Sequence, residues 1–367
     1  MPDSWQRMRA TSDRQDPKRK SLCGVLEALT SSETILEVQD LRVLFPVRTG
    51  LMSSLFKKEE KFVHAVDGIS FSIRRGEVFC LVGESGCGKT TTARCILRLV
   101  DATSGRITFN EDGKAVDLVS ASKKDVRRIR PKMQLIFQDP YESLDPKLSV
   151  LEQLSEPLDV NKATASRKER TDRILTALSN VGLTPAETFL YRYPHELSGG
   201  QRQRVGIASS MILNPSLLLA DEPVSMVDVS MRSDILRIML EIRKRGEATF
   251  LFITHDFSLA WVVGDTIAVM YCGKIVEMAP SSDVIRNPKH PYTRALISVV
   301  PVPDPKFQHK RVILTGEVPD PVDVPSGCRF HPRCPIAKQR CKEEEPEIRD
   351  TGDGHWVSCH FWQEPFP

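Results

Sequence analysis

The chain of 367 residues has no apolar run of the ~18–20 residues that would cross a bilayer. Its basic N-terminal stretch lacks the apolar segment of a secretory signal. It also lacks a strong excess of charge. A formal net charge of +3, from 51 basic and 48 acidic side chains, gives no electrostatic case for a nucleic acid partner. No internal repeat is visible, which excludes a solenoid or propeller. The four cysteines nearest the C-terminus (Cys328, Cys334, Cys341 and Cys359, of nine) lack the paired C-x2-C units of a zinc ribbon. These absences leave a water-facing protein of about two domains. It is expected in the cytosol or held peripherally at a membrane by partners.

The centre of what is there is Gly83 to Thr91, Gly-Glu-Ser-Gly-Cys-Gly-Lys-Thr-Thr, which fits G-x-x-x-x-G-K-[ST]. Glu77–Val82 before it is short and apolar, as a buried strand is. The residues from Thr90 to Val100 carry apolar side chains at helical spacing. Strand, glycine-rich loop and helix make a phosphate cradle. The glycines (Gly83, Gly86, Gly88) let successive N–H groups of Ser85 and Cys87 turn inward, and the helix N-terminus adds positive potential. Lys89 is placed to reach the β- and γ-phosphates of a nucleoside triphosphate, which is as far as this stretch alone goes. The Thr90 hydroxyl, with Thr91 beside it, is placed to ligate Mg²⁺. An aromatic ring ahead of this strand would stack on adenine. Phe62 is the nearby candidate, with an ordinary core or loop position as its alternative.

The surrounding pattern alternates strands and helices, so the predicted fold is α/β. Ile35–Phe45 and Val63–Ile73 read as strands. Met133–Phe137, Ser216–Ala220 and Thr249–Thr254 read as buried parallel strands, and Thr266–Tyr271 with Lys274–Met278 as a hairpin around Gly273. Tyr141–Leu197 turns helical and polar, an insertion between two halves of the core. Three parts are expected: a disordered tail over 1–33, an ATPase domain over 34–280 and a C-terminal extension over 281–367.

Two further motifs point to triphosphate hydrolysis. Asp221 ends an apolar strand, where a carboxylate can hold Mg²⁺, and Glu222 beside it is the natural base for an attacking water. Leu197-Ser198-Gly199-Gly200-Gln201 opens a second helix with a second anion cradle. One nucleotide in one chain does not need two cradles, whereas nucleotide sandwiched between two chains does.

At this point the chain resembles the ATP-binding cassette (ABC) family, over about 35–280. Leu197–Gln201 is similar to its signature motif, Gln138 (in Phe137-Gln138-Asp139-Pro140) to its Q-loop, and Asp221 and Glu222 to its Mg²⁺ aspartate and catalytic glutamate. Ser225-Met226-Val227-Asp228 is similar to its D-loop and His255 to its switch histidine. The resemblance implies an ABC fold: a parallel-sheet core, an antiparallel β part and a helical subdomain. It implies that Gln138 senses Mg²⁺ and water, that His255 positions Glu222, and that Ser198 and Gly200 close on the ATP of a second subunit.

Further features resemble the ATPase subunits of oligopeptide, dipeptide and nickel importers, most of all the second of their paired ATPases. These are Phe45-Pro46-Val47, Ala65-Val66-Asp67-Gly68, Tyr193-Pro194-His195-Glu196, His290-Pro291-Tyr292-Thr293 and the stretch Cys328–Pro335. The implied partners are a second ATPase subunit, two membrane permease subunits and, indirectly, a substrate-binding protein, at the cytoplasmic face of the membrane. Peptide import is the expected role. Import of nickel or another small solute, or a soluble ABC ATPase, are the alternatives. For the four C-terminal cysteines the resemblance favours a [4Fe–4S] cluster. Zinc, with His331 or His360 involved, and free thiols or disulfides are the other readings.

Overall fold

A computed structural model describes residues 34–47, 61–111, 113–139, 141, 143–246, 248–300, 312, 314–352 and 354–365. The expected tail over 1–33 and most of the loop between the first two strands lie outside the described residues.

Two long strands, β1 (Thr34–Pro46) and β2 (Phe62–Arg74), pair antiparallel. With β4 (Ser104–Glu111) and β5 (Lys114–Asp117) they form a four-stranded sheet in the order β2-β1-β4-β5. Their apolar residues alternate with polar ones, so one face is buried and the other wet. Phe71 of β2 stacks on Phe79 with ring centroids 4.9 Å apart, which joins this sheet to the second one.

The second sheet is built on β3 (Val78–Val82), every residue of which is buried. Its order is β11 (Arg349–Asp350), β12 (Trp356–Val357), β10 (Lys274–Pro280), β9 (Thr266–Tyr271), β3, β8 (Thr249–Thr254), β7 (Leu217–Asp221), β6 (Met133–Ile136). Helices α1 (Lys89–Ile96) and α2 (Lys123–Ile129) precede β6 (Met133–Ile136). Parallel pairing links β6 to β7 (Leu217–Asp221), β7 to β8 (Thr249–Thr254), and β3 to both β8 and β9 (Thr266–Tyr271). The continuous apolar runs of β3, β7 and β8 follow from burial on both faces.

Between β6 and β7 lie α3 (Val150–Val160), α4 (Arg167–Asn180) and α5 (Gly199–Met211). Ser149 and Glu152 cap α3 reciprocally, and Ser166 accepts from Glu169 N–H at the start of α4. Leu154, Leu158, Ile174 and Leu178 bury the inner faces of this pair. Helices α6 (Val229–Lys244) and α7 (Phe257–Val263) flank β8.

The expected boundary at residue 280 is crossed by structure. Strand β10 (Lys274–Pro280) pairs with β9 on one side and with β12 (Trp356–Val357) on the other, and β11 (Arg349–Asp350) completes that edge. Helices α8 (Ser281–Arg286) and α9 (Pro291–Ser298) lie between. The C-terminal segment is thus stitched onto the core sheet, and Phe330 is buried in the same hydrophobic core as β3.

Candidate functional site: a nucleotide cavity and its surroundings

The glycine-rich loop follows β3 directly and α1 starts at Lys89, so the cradle forms where the sequence places it. Gly88 has φ +107°, and a Cβ there would lie 2.1 Å from the carbonyl oxygen of Ala65. Gly83 is as confined: a Cβ would stand 2.2 Å from the Met270 carbonyl oxygen. Only glycine permits this approach of loop to sheet. The buried Lys89 ammonium donates to the carbonyls of Gly83 at 2.7 Å and Glu84 at 2.9 Å.

A cavity of about 740 Å³ opens over the loop. Gly83, Ser85, Gly86, Gly88, Lys89, Thr90 and Thr91 line it from the loop side, and Gln138, Glu222 and His255 line it from three other elements. Cys87 is buried beneath the loop, and burial raises its thiol pKa. Asp221 is buried behind, its Oδ1 accepting from the Thr90 hydroxyl at 3.1 Å. Burial raises its carboxyl pKa, partly offset by the Thr90 hydrogen bond. A buried carboxylate beside a hydroxyl is an oxygen donor set that fits Mg²⁺, which would supply charge to stabilise the ionised form.

Glu222 follows Asp221 in the left-handed region, φ +44°, a conformation non-glycine residues seldom adopt. That turn aims its carboxylate at the cavity. Gln138 Nε2 donates to its Oε2 at 3.2 Å, and His255 Nδ1 lies 3.0 Å from its Oε1. The three residues expected to work together are therefore in contact.

Other expectations fall differently. Phe62 does not line the cavity; it sits opposite Pro46 at the end of the β1–β2 ladder. The aromatic ring on the cavity wall is that of Phe45, with Val63 and Ala65. Alternation along β2 explains it: moving one residue along a strand reverses the face. Ser198, Gly199, Gly200 and Gln201, with Asp228, lie outside the cavity lining. Ser198 caps α5 in a reciprocal box with Gln201, and Ser198 and Gly199 are exposed.

Several contributors carry no motif. Gln203, 2% exposed, donates to the carbonyls of Pro223 at 2.9 Å and Phe137 at 3.4 Å. Arg202 lies over the Tyr141 ring, 4.1 Å from its centroid. Helix α5 is thereby tied to the segments that hold both Glu222 and Gln138. Leu296 and Pro321 of the C-terminal segment also line the cavity, which only the tertiary contact reveals.

The four C-terminal cysteines do come together. Cys328, Cys334, Cys341 and Cys359 line one small cavity with His290, His331 and His360, and Cys328 N–H donates to the Cys341 carbonyl at 2.8 Å. Burial pushes the thiols of Cys328 and Cys334 up to about 12 and that of Cys359 up to about 11. Among the described residues, however, no three His, Cys, Asp or Glu side chains are grouped as ligands of one metal ion. The four thiols expected to hold a cluster or zinc are thus neighbours in one cavity and are not grouped about a single ion among the described residues.

Comparison with known proteins agrees with this geometry. Residues 66–225 match the family model described as ABC transporter, and residues 276–341 match the one described as oligopeptide/dipeptide transporter, C-terminal region. The chain is 43% identical over 335 residues to the oligopeptide transport ATP-binding protein AppF of Bacillus subtilis, covering 90% of this chain and 98% of the relative. It is 43% identical over 329 residues to a probable peptide ABC transporter ATP-binding protein of Sinorhizobium fredii, covering 90% of each. Among solved structures it resembles the dimeric ATP-binding cassette MJ0796 in a post-hydrolysis state bound to ADP and Pi. The TM-score is 0.57 and the identity 26%, over 67% of this chain and 99% of that one. CbiO1 of Clostridium perfringens, part of the CbiONQ transporter complex, gives a TM-score of 0.56 at 27% identity, covering 70% of this chain and 92% of that one.

Proposed function

Because this chain belongs to the ABC transporter ATPase family, in the branch that carries the oligopeptide/dipeptide transporter C-terminal region, we propose that it is the ATP-hydrolysing motor subunit of a peptide importer. The observation that carries the reading is the joining of Gln138, Glu222 and His255 on one wall of the cavity above Lys89 and Thr90. Nucleotide phosphates fit the loop amides and Lys89. Mg²⁺, held by Thr90 and Asp221 with Gln138 nearby, would neutralise charge on the transferring phosphoryl group.

The chemistry of the chain's own groups follows. A water positioned by Gln138 and His255 attacks the γ-phosphorus while Glu222 takes its proton. The bond from water oxygen to phosphorus forms, the bond to the β-phosphate oxygen breaks, and ADP leaves with inorganic phosphate.

Ser198–Gln201 lies away from this cavity, with Ser198 and Gly199 exposed, which supports its use by a second ATPase subunit. The relatives named as peptide transport ATP-binding proteins support membrane permease partners; the full set we infer is a paired ATPase in a heterodimer, two permease subunits and, indirectly, an extracellular or periplasmic substrate-binding protein. No helix among the described residues is long and apolar enough to cross a membrane, so attachment would be peripheral, through those permeases. The exposed rings of Phe137 and Tyr141 beside Gln138 suit a contact that reports on the nucleotide. The matched C-terminal region makes a soluble non-transport ATPase the weaker reading. Reconstitution of the co-purified complex in vesicles tests the proposal. ATP-dependent uptake of peptides is expected, whereas uptake of nickel and not of peptides would overturn the substrate class.

The shared cavity and the four-thiol donor set support a [4Fe–4S] cluster at Cys328, Cys334, Cys341 and Cys359. The lack of a tight single-ion grouping among the described residues weighs more against zinc. Iron and sulfide assays on anaerobically purified chain decide it; zinc without iron, or neither metal, overturns the cluster.

A further inference from the structure

The phosphate loop is gripped from outside its own domain. Glu84, the first variable residue of the loop, accepts from Arg333 through both carboxylate oxygens, at 2.8 and 3.2 Å. Its backbone N–H donates to the Tyr292 hydroxyl at 3.0 Å. Both partners belong to the C-terminal segment, and both are buried: Tyr292 is 0% exposed and Arg333 8%.

Neither grip is a loose surface contact. Tyr292 stands on α9, whose start is fixed by Glu277, a fully buried carboxylate of β10. Glu277 accepts from the N–H groups of Lys289 at 2.7 Å and His290 at 2.9 Å and contacts His355 Nε2 at 2.6 Å. Arg333 stands on the turn between Cys328 and Cys334. The same turn sends Arg329 to the Asp67 carboxylate and the Cys272 carbonyl. Phe330, between the two arginines, packs edge-on against Tyr271 and tilted against Tyr292, at 5.2 and 5.4 Å.

We propose that Tyr292 and Arg333 are positioning residues of the nucleotide site: by clamping Glu84 they set the loop that binds ATP, and they make ATP affinity depend on the C-terminal segment. The route is short. The carbonyls of Gly83 and Glu84 are the two that hold the Lys89 ammonium. Glu84 is held by its side chain and its N–H, so its carbonyl and that of Gly83 stay in place. Lys89 is then presented toward the cavity instead of wandering with the loop, and the ordering cost on binding is reduced. The inference rests on the reading that Gly83–Thr91 binds Mg-ATP.

The test uses the full chain and equilibrium binding of Mg-ATP, followed by displacement of a fluorescent ATP analogue, with turnover measured at saturating ATP. Tyr292→Phe removes one hydroxyl and keeps the packed ring. Arg333→Lys and Glu84→Gln each weaken the ion pair from one side. Each is expected to raise Kd for Mg-ATP about threefold to tenfold, with turnover at saturation within about twofold of native in Tyr292→Phe and Arg333→Lys, which lie outside the phosphate loop. Arg333→Lys combined with Glu84→Gln is expected to bind no more weakly than the worse single variant, because both act through one contact. Binding within about twofold of native in both Tyr292→Phe and Arg333→Lys overturns the clamp. So does a fall in turnover with Kd unchanged, the signature of a merely structural loss. A native chain that does not bind Mg-ATP overturns the nucleotide reading itself, an outcome distinct from native binding with unaffected variants.

Discussion

His255 Nδ1 lies 3.0 Å from Oε1 of Glu222, and Glu222 holds that position in a left-handed backbone conformation, φ +44°. The other carboxylate oxygen accepts from Gln138 at 3.2 Å. Glu222 is thus oriented from two sides, as a base must be to receive a proton from a water in line with a phosphoryl group. Glu222→Gln is expected to lower turnover by a factor on the order of 10² to 10⁴ while Mg-ATP still binds. Phosphate release and nucleotide binding, measured side by side, check it. Unchanged turnover would remove Glu222 as the base.

Gly88, which is confined, and Gly86, which is not, give a second prediction. In nucleotide-free buffer, Gly88→Ala must push a methyl into the Ala65 carbonyl, whereas a Cβ at Gly86 meets nothing within 4 Å. Both positions have positive φ and share that cost. Gly88→Ala is therefore expected to melt well below Gly86→Ala. Thermal unfolding of the two apo variants makes the comparison.

Asp67 predicts acid behaviour. Burial pushes its carboxyl pKa up, but Arg329 and Lys274, with hydrogen bonds from Arg329 and His64, outweigh burial and bring it down to about 2. The folded protein thus binds the proton less readily than the unfolded chain. The stabilisation is fully present above the ordinary value of 3.8 and is lost as pH falls through about 2. About 2 kcal/mol is at stake. Urea unfolding between these pH values is expected to show that loss, and Asp67→Asn to flatten this part of the profile.

Ser198 predicts where the second cradle acts. It caps α5 but does not line this chain's nucleotide cavity. Ser198→Ala should leave Mg-ATP affinity of the separate chain within about twofold of native. In the assembled transporter the same change should slow hydrolysis on the order of 10²-fold at the site whose phosphate loop belongs to the other subunit. A weakened Kd in the separate chain would place the cradle in this chain's own site.

Much of the site was legible because its motifs are local. A phosphate loop needs its glycines, Lys89 and Thr90 within one turn of chain. Asp221 and Glu222 stand at the end of one strand, and Ser198 to Gln201 at the start of one helix. Backbone geometry at that range is dictated by neighbours in sequence, so pattern and spacing sufficed to place these residues on their elements and to find the buried parallel strands. The assignment of Phe62 failed because a strand's faces alternate: which of two nearby rings meets the cavity depends on how β1 and β2 pair.

What only the tertiary structure decided are contacts between distant segments. Nothing near Arg333 or Tyr292 in sequence says that they reach Glu84, about 200 residues away or more. Nor does local pattern say that Gln203 ties α5 to Pro223, or that Pro321 and Leu296 wall the nucleotide cavity. The extension expected from residue 281 shares a sheet with the core, because the edge of β10 is completed by β12. Chemistry that fits in one turn of chain was therefore written in the sequence. The setting of that chemistry, by burial and by hydrogen bonds across the fold, arose only when the chain closed on itself.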